Sequence, residues 1–259
     1  MRTRTVLAAI AVAVTLAGCG SSADNTASPG SSRTSVTGTI TVFAAASLKE
    51  SFTLLGSRFQ AAHPGTTVVF SFGPSSGLAT QITQGAPADV FAAASPGTMK
   101  QVTAAGAAPS STNFAKNAME IAVPAKNPAN VRRLADLARP GVTVALCQAA
   151  VPCGATAAQV FKSAGLTVTP VSQEVDVKAV LSKVTLGEVD AGVVYVTDVR
   201  SAGAKVKGIA IPDDVNASTS YPIATLTTSG NRATAQAFTD YVLSPAGATA
   251  LTAAGFARP

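Results

Sequence analysis

The sequence predicts an α/β protein whose sheets are built by right-handed strand–helix crossovers, and three observations predict it. Short β-branched or aromatic runs recur along the chain and read as buried strands. Most of them are followed by a stretch with apolar residues at helical spacing, the alternation that gives parallel sheets. The composition, 47% apolar and 12% charged over 259 residues, is too hydrophobic for disorder and too broken by Gly and Pro for a membrane bundle. That length accommodates one large domain or two lobes, each with its own core.

Ile40 to Phe43 opens the pattern as a strand, and Ala44 to Ala46 leave room for another group to approach the backbone. Leu48, Phe52, Leu55 and Phe59 follow at helical spacing, which puts Ser47 at a helix start. Two readings of Ser47 compete. A strand end that passes into a helix start presents N–H groups and a hydroxyl, a natural place to hold an anion. Ser47-Leu48-Lys49-Glu50 also fits the S-x-x-E capping box, and taken alone the cap is the plainer account.

Strands follow at 66–72, 89–95 and 119–124, with a turn at 73–77 and a short helix over 78–84. Pro96 sits where the first residue of a helix tolerates it. The loop 125–130 leads to a short helix near 131–137, and 141–146 is a strand before a loop that carries two cysteines. A helix over 154–164 and a strand over 167–171 come next. Asp176 opens a helix with Val177, Val180, Leu181 and Val184 on one face, and 191–196 is apolar on both sides, as in a central parallel strand. Thr197 and Asp198 start a short helix, 209–212 and 221–226 are strands, and helices over 232–243 and 245–254 end the pattern. In such sheets ligands lie at the carboxyl ends of strands, where loops meet helix N-termini. The Ser- and Gly-rich joints occupy those positions.

The first eighteen residues read as a targeting signal: Arg2 and Arg4, then an apolar run over 6–17 that is too short to span a bilayer. Leu16-Ala17-Gly18-Cys19 resembles the lipobox of bacterial lipoproteins, which implies cleavage before Cys19, lipidation of its sulfur and an anchor at the cell membrane. Residues 19–38, rich in Ser, Thr, Gly and Asn, read as a flexible tether. Cys147 and Cys153 are close in sequence, and in an oxidising compartment they are expected to form a disulfide. The formal charge of +6 is scattered, without a basic stripe or any Trp, which argues against nucleic acid as a partner.

Catalysis finds little support. Gly73-Pro74-Ser75-Ser76-Gly77 spells G-x-S-x-G between a strand and a helix, as in a nucleophile elbow, and raises the alternative of a secreted serine hydrolase using Ser75. The one histidine, His63, precedes that serine rather than following it and sits beside Pro64, so nothing activates the hydroxyl. One histidine and isolated acids supply no metal-cation ligands, and no G-x-x-x-x-G-K cradle is present. What remains is a set of neutral donors at helix starts: Ser47, Ser75, Ser76, the N–H groups around Cys153 and Gly154, and Tyr195. Such a set suits a fully deprotonated oxyanion, which accepts every bond and donates none.

These residues carry a resemblance. The string ITVFAAASL at 40–48, the Ser75-Ser76 turn before Leu78, GAPADVF at 85–91, Val151-Pro152-Cys153-Gly154, Asp176-Val177-Lys178, and Gly192 to Tyr195 followed by Asp198 occur in that order. Together they resemble the molybdate-binding proteins of bacterial ABC importers, the ModA family, over 39–256. The resemblance implies a two-lobed periplasmic-binding-protein-like (type II) fold, each lobe a mainly parallel sheet flanked by helices, with the ligand cleft between lobes. Lobe 1 would take 39–118 and 213–259, and lobe 2 would take 119–212. It implies a lipid-anchored, extracytoplasmic solute-binding protein, not an enzyme, that captures molybdate and also tungstate. It would work as a monomer without a cofactor and deliver its ligand to an importer permease with its cytoplasmic ATPase. Ser47 and Ser75 would bind the oxyanion through hydroxyl and N–H, Cys153 and Val177 through N–H, and Tyr195 through its phenol. Cys153 replaces a commoner small residue of that family, and Gly73-Pro74 departs from a Ser-rich turn. Another tetrahedral oxyanion such as sulfate is the alternative ligand. Because cap and anion would compete for one hydroxyl, Ser47 is expected to cap its helix without ligand and to turn to the oxyanion when the lobes close.

Overall fold

The computed structural model describes residues 36–259. The signal segment, Cys19 and all but the last three residues of the tether lie outside the described residues. Val36 to Gly38 belong to the fold rather than to a tether. Gly38 begins the first strand, and the Thr37 carbonyl accepts from Asn231 Nδ2 and from Thr234 Oγ1 at 2.7 Å.

Among the described residues nine strands make one sheet in the order β2-β1-β3-β9-β4-β7-β5-β6, with β8 paired to β4. They are β1 (Gly38–Ala45), β2 (Thr66–Gly73), β3 (Val90–Ala92), β4 (Thr112–Pro124), β5 (Val144–Cys147), β6 (Ser172–Glu174), β7 (Ala191–Tyr195), β8 (Val206–Ala210) and β9 (Ser218–Thr225). The helices are α1 (Lys49–Ala62), α2 (Ser75–Thr83), α3 (Pro96–Ala104), α4 (Pro152–Ser163), α5 (Val177–Leu186), α6 (Val196–Ala202), α7 (Arg232–Leu243) and α8 (Pro245–Ala254). Each half of the sheet has three parallel strands, β2-β1-β3 in one and β7-β5-β6 in the other. The antiparallel strands β4 and β9 lie between these two sets.

The cores divide in the same way. One draws every residue from 119–211, among them Met119, Val144, Val180 and Val194. Two others draw from 40–115 and 221–256, on opposite faces of the first half: Phe52, Phe59, Tyr221 and Phe238 on one side, Phe43, Leu78, Phe91 and Met99 on the other. Alternation in β1 sends Phe43 one way and Val42 and Ala44 the other, so a single strand feeds both faces.

β4 is thirteen residues long, not the six at 119–124 that the sequence shows. Thr112 to Ala118 pair with β9, and Met119 to Pro124 pair with β7 and β8. The first half is polar and is broken by a bulge between Asn113 and Ala115, which disrupts the period-two signal. The strand expected at 167–171 is found instead at Ser172–Glu174, a three-residue edge strand with no apolar residue to mark it. β3 narrows to Val90–Ala92, because Ala93 leaves its neighbour β1 and donates its N–H to the Pro222 carbonyl. Gly192 in β7 has a specific reason to lack a side chain: a Cβ there would stand 2.6 Å from Val180 Cγ1 and 3.0 Å from Val184 Cγ2. Its absence lets α5 lie directly on β7.

Candidate functional site

The ends of β1, β2 and β7 and the segments that follow β3, β5 and β6 meet at one cavity of about 20 Å³. A single water takes roughly 10–15 Å³ of such space, so the occupant is small and compact. Ser47, Ser75, Cys153, Val177 and Tyr195 all line this cavity, together with Ala46, Pro74, Ala94, Pro152 and Asp176. The five residues that the sequence nominates, spread over some 150 positions, are thus brought to one place.

Each arrives at the start of a helix or a tight turn. Ser47 lies within a 3-10 turn, Ala46–Leu48, which precedes α1. Ser75 is the first residue of α2, Cys153 the second of α4 after Pro152, and Val177 the first of α5. First-turn N–H groups have no carbonyl within their own helix, and each helix start carries about half a positive charge. Several such ends therefore face one cavity. Among the described residues no Lys, Arg or His lines it, and the one carboxylate that does, Asp176, caps α5 by accepting the Ala179 N–H at 3.0 Å.

The capping box expected at Ser47 is not formed. Because the chain first makes a 3-10 turn, Ser47 falls inside that turn and α1 begins two residues later, with no side-chain cap. Its Oγ lies 2.8 Å from Tyr221 Oη instead, and Glu50 is drawn away to Lys178 Nζ at 2.8 Å. Ser75 Oγ accepts the Ala94 N–H at 3.0 Å. The G-x-S-x-G string is an ordinary helix start here. His63 follows α1 and packs against Phe59 with tilted rings, centroids 4.5 Å apart.

A disulfide joins Cys147 and Cys153, from the end of β5 to the first turn of α4. Gly154 fits beneath it because a Cβ would run into the Gln148 carbonyl. Replacing both cysteines by alanine is expected to lower stability by about 2 kcal/mol, the chain-entropy value for so short a loop. Urea unfolding of the variant against the oxidised wild type measures it. Ligand binding should weaken but persist, since residue 153 keeps its N–H.

Tyr195 closes the cavity from the end of β7 at 1% exposure. Its hydroxyl is buried and has no hydrogen-bond partner among the described residues. An orphaned buried donor is costly unless something accepts from it. Burial, the largest influence, also pushes the phenol's ionisation well above its usual range, so it stays a neutral donor at any ordinary pH. The Tyr195 N–H donates to Asp198 Oδ2 at 3.2 Å. Asp198 is fully buried, and desolvation raises its pKa to about 6 despite the opposing Lys178 ammonium 3.0 Å away. Tyr221 was not among the nominated residues. In sequence it is an aromatic in a strand, which nothing separates from a core tyrosine.

A cleft lined by helix starts and hydroxyls between the two halves of an α/β sheet is the arrangement of a solute-binding protein. The chain belongs to the bacterial extracellular solute-binding protein family, whose sequence pattern matches residues 40–257. It is 44% identical over 245 residues to the molybdate-binding protein ModA of Mycobacterium tuberculosis, covering 94% of this chain and 93% of that one. In fold it is similar to the periplasmic molybdate-binding protein of Azotobacter vinelandii, with a TM-score of 0.76 and 22% identity over 85% of this chain and 99% of that one. The sulfate-binding protein SubI of M. tuberculosis is similar to the same degree, with a TM-score of 0.75 and 19% identity over 84% and 86% of the two chains. At such identities the likeness concerns the fold.

Proposed function

We propose that this protein captures molybdate, and also tungstate, outside the cytoplasmic membrane and delivers it to an ABC importer. The observation that carries the reading is the cavity itself. Among the described residues it has several helix starts, two serines and an orphaned phenol, and no cationic side chain. Apart from Asp176, its polar side chains are hydroxyls that can donate beside first-turn N–H groups, a set that suits a tetrahedral dianion with no proton. Ser47 and Ser75 bind through hydroxyl and N–H, Cys153 and Val177 through N–H, and Tyr195 through its phenol. The 44% identical relative is a molybdate-binding protein, which favours molybdate over the sulfate alternative.

In this reading lobe 1 comprises 39–118 and 213–259, and lobe 2 comprises 119–212. The change of partners along β4 at Ala118–Met119, from β9 to β7, supports that boundary. The protein acts as a monomer, held to the membrane by a lipid on Cys19. Among the described residues no helix is long and apolar enough to cross a membrane. Calorimetric titration of the mature protein with molybdate, tungstate, sulfate and phosphate tests the assignment. Molybdate and tungstate are expected to bind with one-to-one stoichiometry and more tightly than the other two. Tight sulfate binding with no response to molybdate would overturn it.

A further inference from the structure

We propose that Asp176 limits how tightly the site holds a doubly charged oxyanion, and so keeps the ligand releasable. The inference rests on the oxyanion reading above and concerns what sets the affinity of that site. Among the described residues Asp176 is the one carboxylate that lines the cavity. A carboxylate beside an anion has the wrong sign for affinity.

Its local role is to hold the start of α5. Asp176 is extended, at φ −154°, and its Oδ1 accepts the Ala179 N–H at 3.0 Å. That bond satisfies one first-turn N–H and leaves the Val177 N–H for a ligand. Asparagine caps a helix about as well as aspartate does, so capping alone does not account for the charge. The other helix starts at the cavity carry no side-chain cap, neither at Pro74 before α2 nor at Val151 before α4. No partner neutralises the charge either, since Asp176 forms no ion pair among the described residues. The two lysines of α5 turn elsewhere. Lys178 Nζ meets Glu50 Oε2 at 2.8 Å and Asp198 Oδ1 at 3.0 Å, and Lys183 Nζ meets Glu188 Oε2 at 3.0 Å.

The charge therefore acts differently on the two states of the site. In the empty protein it lies at the positive end of α5, where it is favourable. In the filled protein that same end also faces a dianion, and the two negative charges repel. A group that favours the empty state over the filled one lowers affinity by the difference. Coulomb energy scales with ligand charge, so a dianion is penalised twice as much as a monoanion of the same shape.

The test is Asp176→Asn, titrated calorimetrically with molybdate and with perrhenate, a tetrahedral monoanion of similar size that also carries no proton. The variant keeps a side-chain oxygen for the Ala179 N–H and loses the charge. Molybdate is expected to bind about tenfold tighter and perrhenate about threefold, the scale of one water-screened contact between charges. The molybdate gain should also shrink as ionic strength rises. Asp176→Ala, which removes the cap as well, should bind both ligands more weakly than Asp176→Asn, by one common factor. Equal changes for the two ligands in Asp176→Asn, or no gain for molybdate, would show that the aspartate serves only as a cap. Either result overturns the proposal. Should perrhenate not bind, the salt series decides, and a molybdate gain that does not fade with salt overturns it equally. Should Asp176→Asn fail to fold, Asp176→Ser, which also caps, must give the same pattern for the proposal to stand. A wild-type protein that binds no tetrahedral oxyanion overturns the underlying reading itself, a result distinct from any outcome with the variants.

Discussion

Replacing Ser47 by alanine should weaken molybdate binding by roughly 10- to 150-fold, and replacing Ser75 should do the same. A hydrogen bond to a charged ligand is worth about 1.5–3 kcal/mol, and each 1.4 kcal/mol is tenfold in affinity. Both side chains are almost wholly buried, at 4% and 2% exposure, so water cannot replace the lost donor cheaply. Each change also strands a group behind the serine. Without Ser47 the buried Tyr221 hydroxyl loses its 2.8 Å partner, and without Ser75 the Ala94 N–H loses its acceptor at 3.0 Å. A modest fall in thermal stability should therefore accompany the loss of affinity, on the order of 1–3 kcal/mol for an unsatisfied buried group. Calorimetric titration and thermal unfolding of each variant measure the two effects separately. If both variants bind like wild type, the ligand is held elsewhere.

That these two serines could be singled out at all follows from where they sit. A small residue after a buried strand and before a helix start is a local pattern. Ala44 to Ser47 and Gly73 to Ser75 show it in a dozen letters each, and the sheet then sets their N–H groups at one cavity. The disulfide was legible for the same reason, its ends being six residues apart. What stayed hidden depends on distant partners. Tyr221 meets Ser47 across 174 positions, and Lys178 meets Glu50 across 128. No spacing within a segment signals either contact. The S-x-x-E string at 47–50 misled for that reason: its serine and its glutamate are each claimed by a residue from another strand or helix. The first half of β4 was missed because its pairing with β9 rests on backbone bonds around a bulge, not on an alternating apolar face.

Replacing Lys178 by methionine should destabilise the fold by about 3–5 kcal/mol at pH 8, the cost of leaving a buried charge without its partner. Lys178 Nζ lies 3.0 Å from Asp198 Oδ1 and 2.8 Å from Glu50 Oε2, and these two carboxylates are very differently placed. Asp198 is fully buried, while the Glu50 side chain is 52% exposed. Once the ammonium is gone, Asp198 keeps only the Tyr195 N–H as a donor, and its pKa must rise further above the value of about 6 that it has beside Lys178. The folded variant then holds a proton that the unfolded chain releases near pH 4. Wild-type Asp198 holds that proton too until about pH 6, so the variant loses stability relative to wild type as pH rises from about 6 toward its own higher pKa, and the deficit should be smaller at pH 5 than at pH 8. Glu50→Gln separates the other contact. It leaves the Asp198 pair intact and removes only an exposed ion pair worth about 0.2–1 kcal/mol, so unfolding should hardly change. Yet α1 packs on the core that holds Phe52 and α5 on the core that holds Val180, and both elements begin at the cavity. An ion pair between them favours the arrangement in which Ser47 and Val177 face the same ligand, so Glu50→Gln should loosen molybdate binding by a few fold at most. Urea unfolding of both variants at pH 5 and pH 8, beside titration with molybdate, distinguishes the two contacts. A Lys178→Met deficit that does not vary with pH would mean that the lysine contributes through its packed methylenes and not through Asp198.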